Sequence, residues 1–208
     1  IIFQGRIAFA DNDRHNHSIV KDFGDNILAS MPPNSLFIAY GDSVGGALLY
    51  LQSLGIRNDI IFLHFGIMDR DWYIKNKSSF YPSVINEDVI NSADPVTRME
   101  IIFRHNLSER NIYVMFPNWK GRSPDFGTVP VGIIFQVVEQ GTDTKEILAA
   151  NKAWENYKLE GFRLDFYKNR GLNGLAKLAA ATLSLTATAY EKIGYINEAK
   201  YLFEKEFF

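Results

Sequence analysis

The chain has no cysteine among its 208 residues, which excludes disulfides, thiol catalysis and thiolate metal sites. It has almost no net charge, formally -2, and its Lys and Arg are scattered rather than blocked. That argues against a nucleic-acid groove or a polybasic membrane patch. No apolar run approaches the ~20 residues that a membrane-spanning helix requires. The nearest, Leu175 to Tyr190, is interrupted by Lys177 and diluted with Ala, Ser and Thr. No signal peptide is visible, and the first residue is Ile1 rather than a methionine. An excised or processed piece of a longer chain, soluble by itself, is therefore expected.

What the chain does have is apolar content. At 47% hydrophobic and 14% aromatic, it can bury a core of useful size, and disorder is not expected. Ile19, Val20, Phe23, Ile27, Leu28 and Met31 fall at helical spacing, and Pro32-Pro33 end that helix. Leu36 to Tyr40 and Ile60 to Phe65 are continuous apolar runs, as in strands buried on both faces. Between them Ala47, Leu48, Leu51 and Leu54 predict a helix stopping at Gly55, so the three form a βαβ unit. A helix follows Asp71 and ends near Pro82, and residues 83 to 93 read as a loop. Asp94-Pro95 has the form of an N-cap with proline in the first turn. Ile112 to Phe116 is the third strand, Pro117 to Val129 a loop, and Gly132 to Val138 a fourth strand antiparallel to the third. Asp143 and Glu146 have capping-box spacing before a helix presenting Ile147, Ala150, Trp154 and Tyr157. Two helices, about 174–193 and 196–207, close the chain.

The expected fold class is α/β: a small, mostly parallel, three-layer, Rossmann-like sheet domain over residues 1–170, followed by a helical hairpin over 171–208. In the hairpin Ala187, Tyr190, Gly194, Ala199 and Phe203 have tetratricopeptide-repeat spacing. Small residues let the two helices approach, and Tyr and Phe fill the groove between them. Such a hairpin offers a surface for a protein partner.

The candidate chemistry gathers at Gly41-Asp42-Ser43, where the first strand turns into a helix. Carboxyl ends of strands in open α/β sheets are where ligands bind. Asp42 either contacts a sugar hydroxyl or a cation there, or caps the helix starting at Val44. Gly41-Asp42-Ser43-Val44-Gly45 also spells the nucleophile elbow of ester hydrolases, with Ser43 as nucleophile. The context fails: there is no glycine-rich oxyanion segment upstream, and only His64 and His105 follow as bases. Asp71-Trp72-Tyr73 after the second strand suits carbohydrate stacking with hydrogen bonding, or plain packing of a helix start. Trp119, in the long loop, is placed to close over the same edge. Arg14 is expected to pair with an acid such as Asp13 or Asp42. His15 and His17, with Asp11 and Asp13, lack a third converging ligand, so no metal and no cofactor are expected.

Three stretches together resemble one family. They are Asp13-Arg14-His15-Asn16-His17; Asn26 to Ser30 with Pro33 to Phe37 and Gly41-Asp42; and Tyr50-Leu51-Gln52, Gly55-Ile56-Arg57, Asp59 and Asp71 to Ile74. The chain resembles the soluble region of large membrane proteins related to the eukaryotic transmembrane O-mannosyltransferase with tetratricopeptide repeats. The family carries Gly-Asp-Asn-Asp-Thr where this chain has Gly41-Asp42-Ser43-Val44-Gly45, so one acid and the threonine are lost. The resemblance implies that sugar transfer takes place in a membrane module outside this chain. It implies a non-catalytic domain on the extracytoplasmic face, periplasmic or lumenal, of a membrane-embedded glycosyltransferase-like (GT-C type) protein. There the domain recognises a glycan or protein acceptor, or serves assembly. Asp42, Ser43, Asp71, Trp72, Tyr73 and Arg14 are the candidate ligand-binding residues. The alternatives are a serine ester hydrolase using Ser43 and a free-standing protein-interaction scaffold; nucleic acid is not an expected partner.

Overall fold

The computed structural model describes residues 18–117, 124–159, 162 and 172–205. Helix α1 (Ile19–Ala29) buries Ile19, Phe23 and Ile27 at steps of four. Strand β1 (Leu36–Ala39) is buried at every position, as its unbroken apolar run requires. Helix α2 (Asp42–Ser53) leads to β2 (Ile61–His64), which pairs parallel with β1. A short 3-10 turn (Phe65–Ile67) precedes α3 (Asp71–Phe80), α4 (Glu87–Asn91) and α5 (Pro95–Asn106). Strand β3 (Ile112–Val114) pairs parallel with the other side of β1. Then β4 (Phe126–Val131) and β5 (Ile134–Glu139) form a hairpin, with β5 antiparallel to β3. Helices α6 (Lys145–Ala150), α7 (Leu172–Lys192) and α8 (Ile196–Lys205) complete the described chain.

The sheet order is β2-β1-β3-β5-β4. Alternate strand residues face opposite ways, which sorts the core into two layers. Phe37, Phe62, Tyr113, Val131 and Ile134 pack with α1, α2, α6 and α7. Leu36, Ile38, Leu63, Ile112 and Phe135 pack with α3, α4 and α5. The α/β class and the antiparallel fourth-strand direction agree with the sequence. The expectation of a mostly parallel sheet is corrected: two pairings are parallel and two antiparallel.

The cause is β4, which lies partly in the stretch read as loop. Phe126-Gly127-Thr128-Val129-Pro130-Val131 carries glycine and proline, which lower strand propensity but are tolerated at a sheet edge. Val131 pairs with Ile134, leaving a two-residue turn of Gly132 and Ile133. Gly132 has φ +71° and Ile133 is not in the positive-φ region, the pattern of a type II′ hairpin turn. Two smaller differences are also local. The loop expected over 83–93 contains α4, whose Asn86 side chain accepts from the Val89 N–H. The helix expected to run through Tyr157 stops at Ala150 and resumes as a 3-10 turn over Ala153–Asn156. Thr144, not Asp143, is its N-cap, and the Asp143 carboxylate accepts from the Lys145 N–H instead. Asp94 does cap α5, accepting from the Thr97 N–H at 2.7 Å.

Helix α7 lies against β4 and α1, and Ala187 and Tyr190 are fully buried in the same layer as Ile27 and Leu48. Two tyrosines make that seam. Tyr157 Oη accepts from the Ile133 N–H at 3.2 Å and hydrogen-bonds Ser30 Oγ, whose own proton goes to the Asn26 carbonyl. Burial pushes its phenol up to about 12. Tyr190 Oη reaches the carbonyls of Leu148 and Asn151 and accepts from Trp154 Nε1. Thr186 adds a bond from its hydroxyl to the Gly132 carbonyl. The domain boundary expected near residue 170 falls outside the described residues, as do residues 1–17.

Candidate functional site

In the order β2-β1-β3 the chain leaves β1 in one direction and returns on its other side. The carboxyl ends of β1 and β3 therefore flank the point where strand order reverses, a usual ligand crevice. Tyr40 follows β1, Phe65 follows β2, and Phe116 lies just past β3. Their rings meet: Tyr40 is 5.8 Å from Phe65 at 45° and 5.7 Å from Phe116 at 83°. Tyr40 is nevertheless 54% exposed. The neighbours brace its ring, and neither stacks parallel upon it.

Gly41 then turns the chain at φ +91°, ψ 141°, a conformation that is strained for any residue with a Cβ. It stands at the N-cap of α2, and among the described residues no side chain caps this helix. The capping role open to Asp42 is thus not taken up. Its carboxylate projects fully into solvent from the first turn, where the helix dipole favours a negative charge. Ser43 is exposed and lies within α2, and its hydroxyl has no hydrogen-bond partner among the described residues. Among the described non-glycine residues positive φ is confined to Asn34 and Arg57, so Ser43 lacks a strained elbow backbone.

The histidine near this edge turns toward the acid. His64 Nε2 lies 3.6 Å from Asp42 Oδ1. Its imidazole fits a slot between two glycines: a Cβ on Gly45 would come within 2.8 Å of Cδ2, and one on Gly66 within 3.0 Å of Cε1. Phe62 meets the ring edge to face, and Nδ1 is buried without a partner among the described residues. The His64 backbone N–H donates to Tyr73 Oη at 2.7 Å.

The Asp71-Trp72-Tyr73 triplet is divided among three jobs. Tyr73 is buried, and burial pushes its phenol up to about 12. Trp72 is 66% exposed. Asp71 is held by Arg98, whose Nη2 donates to Oδ1 at 2.6 Å and keeps that carboxyl below its ordinary 3.8. Arg98 itself is 1% exposed and also donates to the carbonyls of Ser92 and Met68. It thereby ties the segment after β2 to the start of α5. Arg14, Asp11, Asp13, His15, His17 and Trp119 lie outside the described residues.

Sequence reasoning did not single out Tyr40, Phe116 or Arg98. Tyr40 and Phe116 read as the last residues of apolar strands, and only the crossing of the chain from β2 to β3 makes them neighbours. Arg98 was not considered at all. A signal existed for it: Arg98 lies one residue before Met99 and four before Ile102, on the apolar side of α5.

Other residues carrying the family resemblance work at the opposite end of the sheet. The Arg57 guanidinium donates to the carbonyls of Leu28, Met31 and Pro32 at the end of α1 and pairs with Asp59. Asp59 in turn accepts from the Asn34 N–H, and Gln52 donates to the Ile60 carbonyl. These side chains fasten α1 and α2 to the strand starts. No group of three or more metal-ligating side chains occurs among the described residues, and no described helix is long and apolar enough to cross a membrane.

Residues 20–115 match the family model described as TMEM260-associated domain 2. The mouse (Mus musculus) protein described as Protein O-mannosyl-transferase TMEM260 is 30% identical over 73 residues, covering 35% of this chain. The match takes in 10% of that protein's length. No solved structure matches the chain.

Proposed function

We propose that this chain, linked to the O-mannosyltransferase-like family through residues 20–115, is a non-catalytic recognition domain of a glycosyltransferase-like membrane protein. It stands on the extracytoplasmic face and presents the acceptor, a glycan or a protein, at the carboxyl edge of its sheet. The observation that carries this reading is the edge itself, with Tyr40 and Asp42 both projecting into solvent beside the strand-order reversal. The idle chemistry of that edge supports a binding role. His64 Nε2 faces Asp42, and among the described residues no base hydrogen-bonds the Ser43 hydroxyl.

The test uses the natural full-length protein. Exchanging Tyr40 and Asp42 for Ala is expected to abolish glycosylation of its native acceptor while leaving turnover of the sugar donor with water intact. Loss of donor turnover as well would place this domain in the catalytic machinery and overturn the reading. Labelling of Ser43 by a fluorophosphonate would do the same in favour of an ester hydrolase.

A further inference from the structure

The recognition reading leaves open what the edge takes, and the side chains around Tyr40 narrow it. The ligand must suit a flat aromatic face, because Tyr40 is over half exposed while Phe65 and Phe116 hold its ring in place. A ring fixed by its neighbours loses little further freedom on binding, so contact with its face is gained at low entropic cost. The ligand must also suit a carboxylate. Asp42, two residues on, is fully exposed, and Ser43 beside it offers a hydroxyl that donates and accepts.

These requirements exclude the ligand that the topology first suggests. A nucleotide at such a reversal places phosphate against the helix N-terminus. Here that terminus carries Asp42 in its first turn, which repels the anion. A compact cation would satisfy Asp42, but His64 Nε2 already faces that carboxylate at 3.6 Å, and a point charge makes little use of a braced ring. A neutral ring with one apolar C–H face and several hydroxyl donors meets every condition. Its face covers Tyr40, and its hydroxyls donate to Asp42 and exchange hydrogen bonds with Ser43.

Resting on the recognition reading, we propose that Tyr40 is the stacking platform of a pyranose-binding subsite, with Asp42 and Ser43 as its hydroxyl readers. The ligand is a neutral glycan on the acceptor. His64 is a positioning residue, held in its slot by Gly45 and Gly66 so that its Nε2 faces the Asp42 carboxylate.

Backbone-resolved NMR titration of the chain with methyl α-D-mannopyranoside and with mannotriose tests this, with an unglycosylated Ser/Thr-rich peptide and a Lys-rich peptide in parallel. Saturable shifts at Tyr40, Gly41 and Asp42 are expected with the sugars. Tyr40→Ala should weaken them about tenfold, the loss of one stacking contact, whereas Tyr40→Phe should stay within about threefold. Asp42→Asn should weaken binding by an intermediate factor, with the fold unchanged by its NMR spectrum. If either peptide binds at this edge and the sugars do not, the pyranose assignment is overturned while acceptor recognition stands. If neither sugar nor peptide moves these resonances, both fall. Equal sugar binding by Tyr40→Ala and wild type also overturns the proposal, since it places the sugar elsewhere.

Discussion

The molecule uses tyrosine in two opposite ways. At the seam between α7 and the sheet, Tyr157 and Tyr190 are buried and their hydroxyls are fully engaged. At the carboxyl edge, Tyr40 is braced from the sides and left open. Charge follows the same division. Arg98 is buried and bonded through all of its nitrogens, whereas Asp42 stands in solvent with an imidazole at 3.6 Å. The seam is built to keep a shape, and the edge holds back contacts that a ligand can supply. A polar group withdrawn from water must be satisfied internally, whereas an exposed one keeps its capacity.

The contrast is broken most readily at Gly132. A Cβ there would lie 1.8 Å from Tyr157 Oη, and the backbone sits at φ +71°. Steric displacement and backbone strain together put the cost of Gly132→Ala at about 3–4 kcal/mol, measured by urea denaturation. A cost below about 1 kcal/mol would mean that Tyr157 is not locked against the turn. Next in size is Tyr157→Phe, which strips the Ile133 N–H of its partner and Ser30 of one of its two. It should cost about 1–3 kcal/mol by the same measurement. The smallest effect belongs to the edge: Tyr40→Ala should change stability by less than about 1 kcal/mol, for only partly exposed ring contacts are lost. Were Tyr40→Ala as costly as Tyr157→Phe, the edge would be a second seam and not an open site.

Much of this arrangement could be read in advance, and the omissions have physical causes. The runs at Leu36 and Ile60 announce strands because apolar residues on both faces fit only the middle of a layered sheet. Asp94-Pro95 announces a helix start because its chemistry is local. Strand β4 escaped because Gly127 and Pro130 weigh against a strand everywhere except at an edge, and edge position is a property of the whole sheet. Asp42 and Ser43 were found from their place at a strand end. Tyr40 was not, since its partners Phe65 and Phe116 lie 25 and 76 positions away, and only sheet order unites them. Asp71-Trp72-Tyr73 shows the converse: adjacent residues on a helix face different surroundings, so one motif came apart into three roles.

One detail of β4 governs how such domains behave in company. Pro130 has no N–H to offer β5, so its nitrogen faces the outer side of the strand. An incoming β-strand that tried to extend the sheet there would meet a missing donor in the middle of its ladder. Crowded together, copies of this domain are therefore discouraged from zipping rim to rim into fibres, and the imino ring acts as a built-in anti-polymerisation stop.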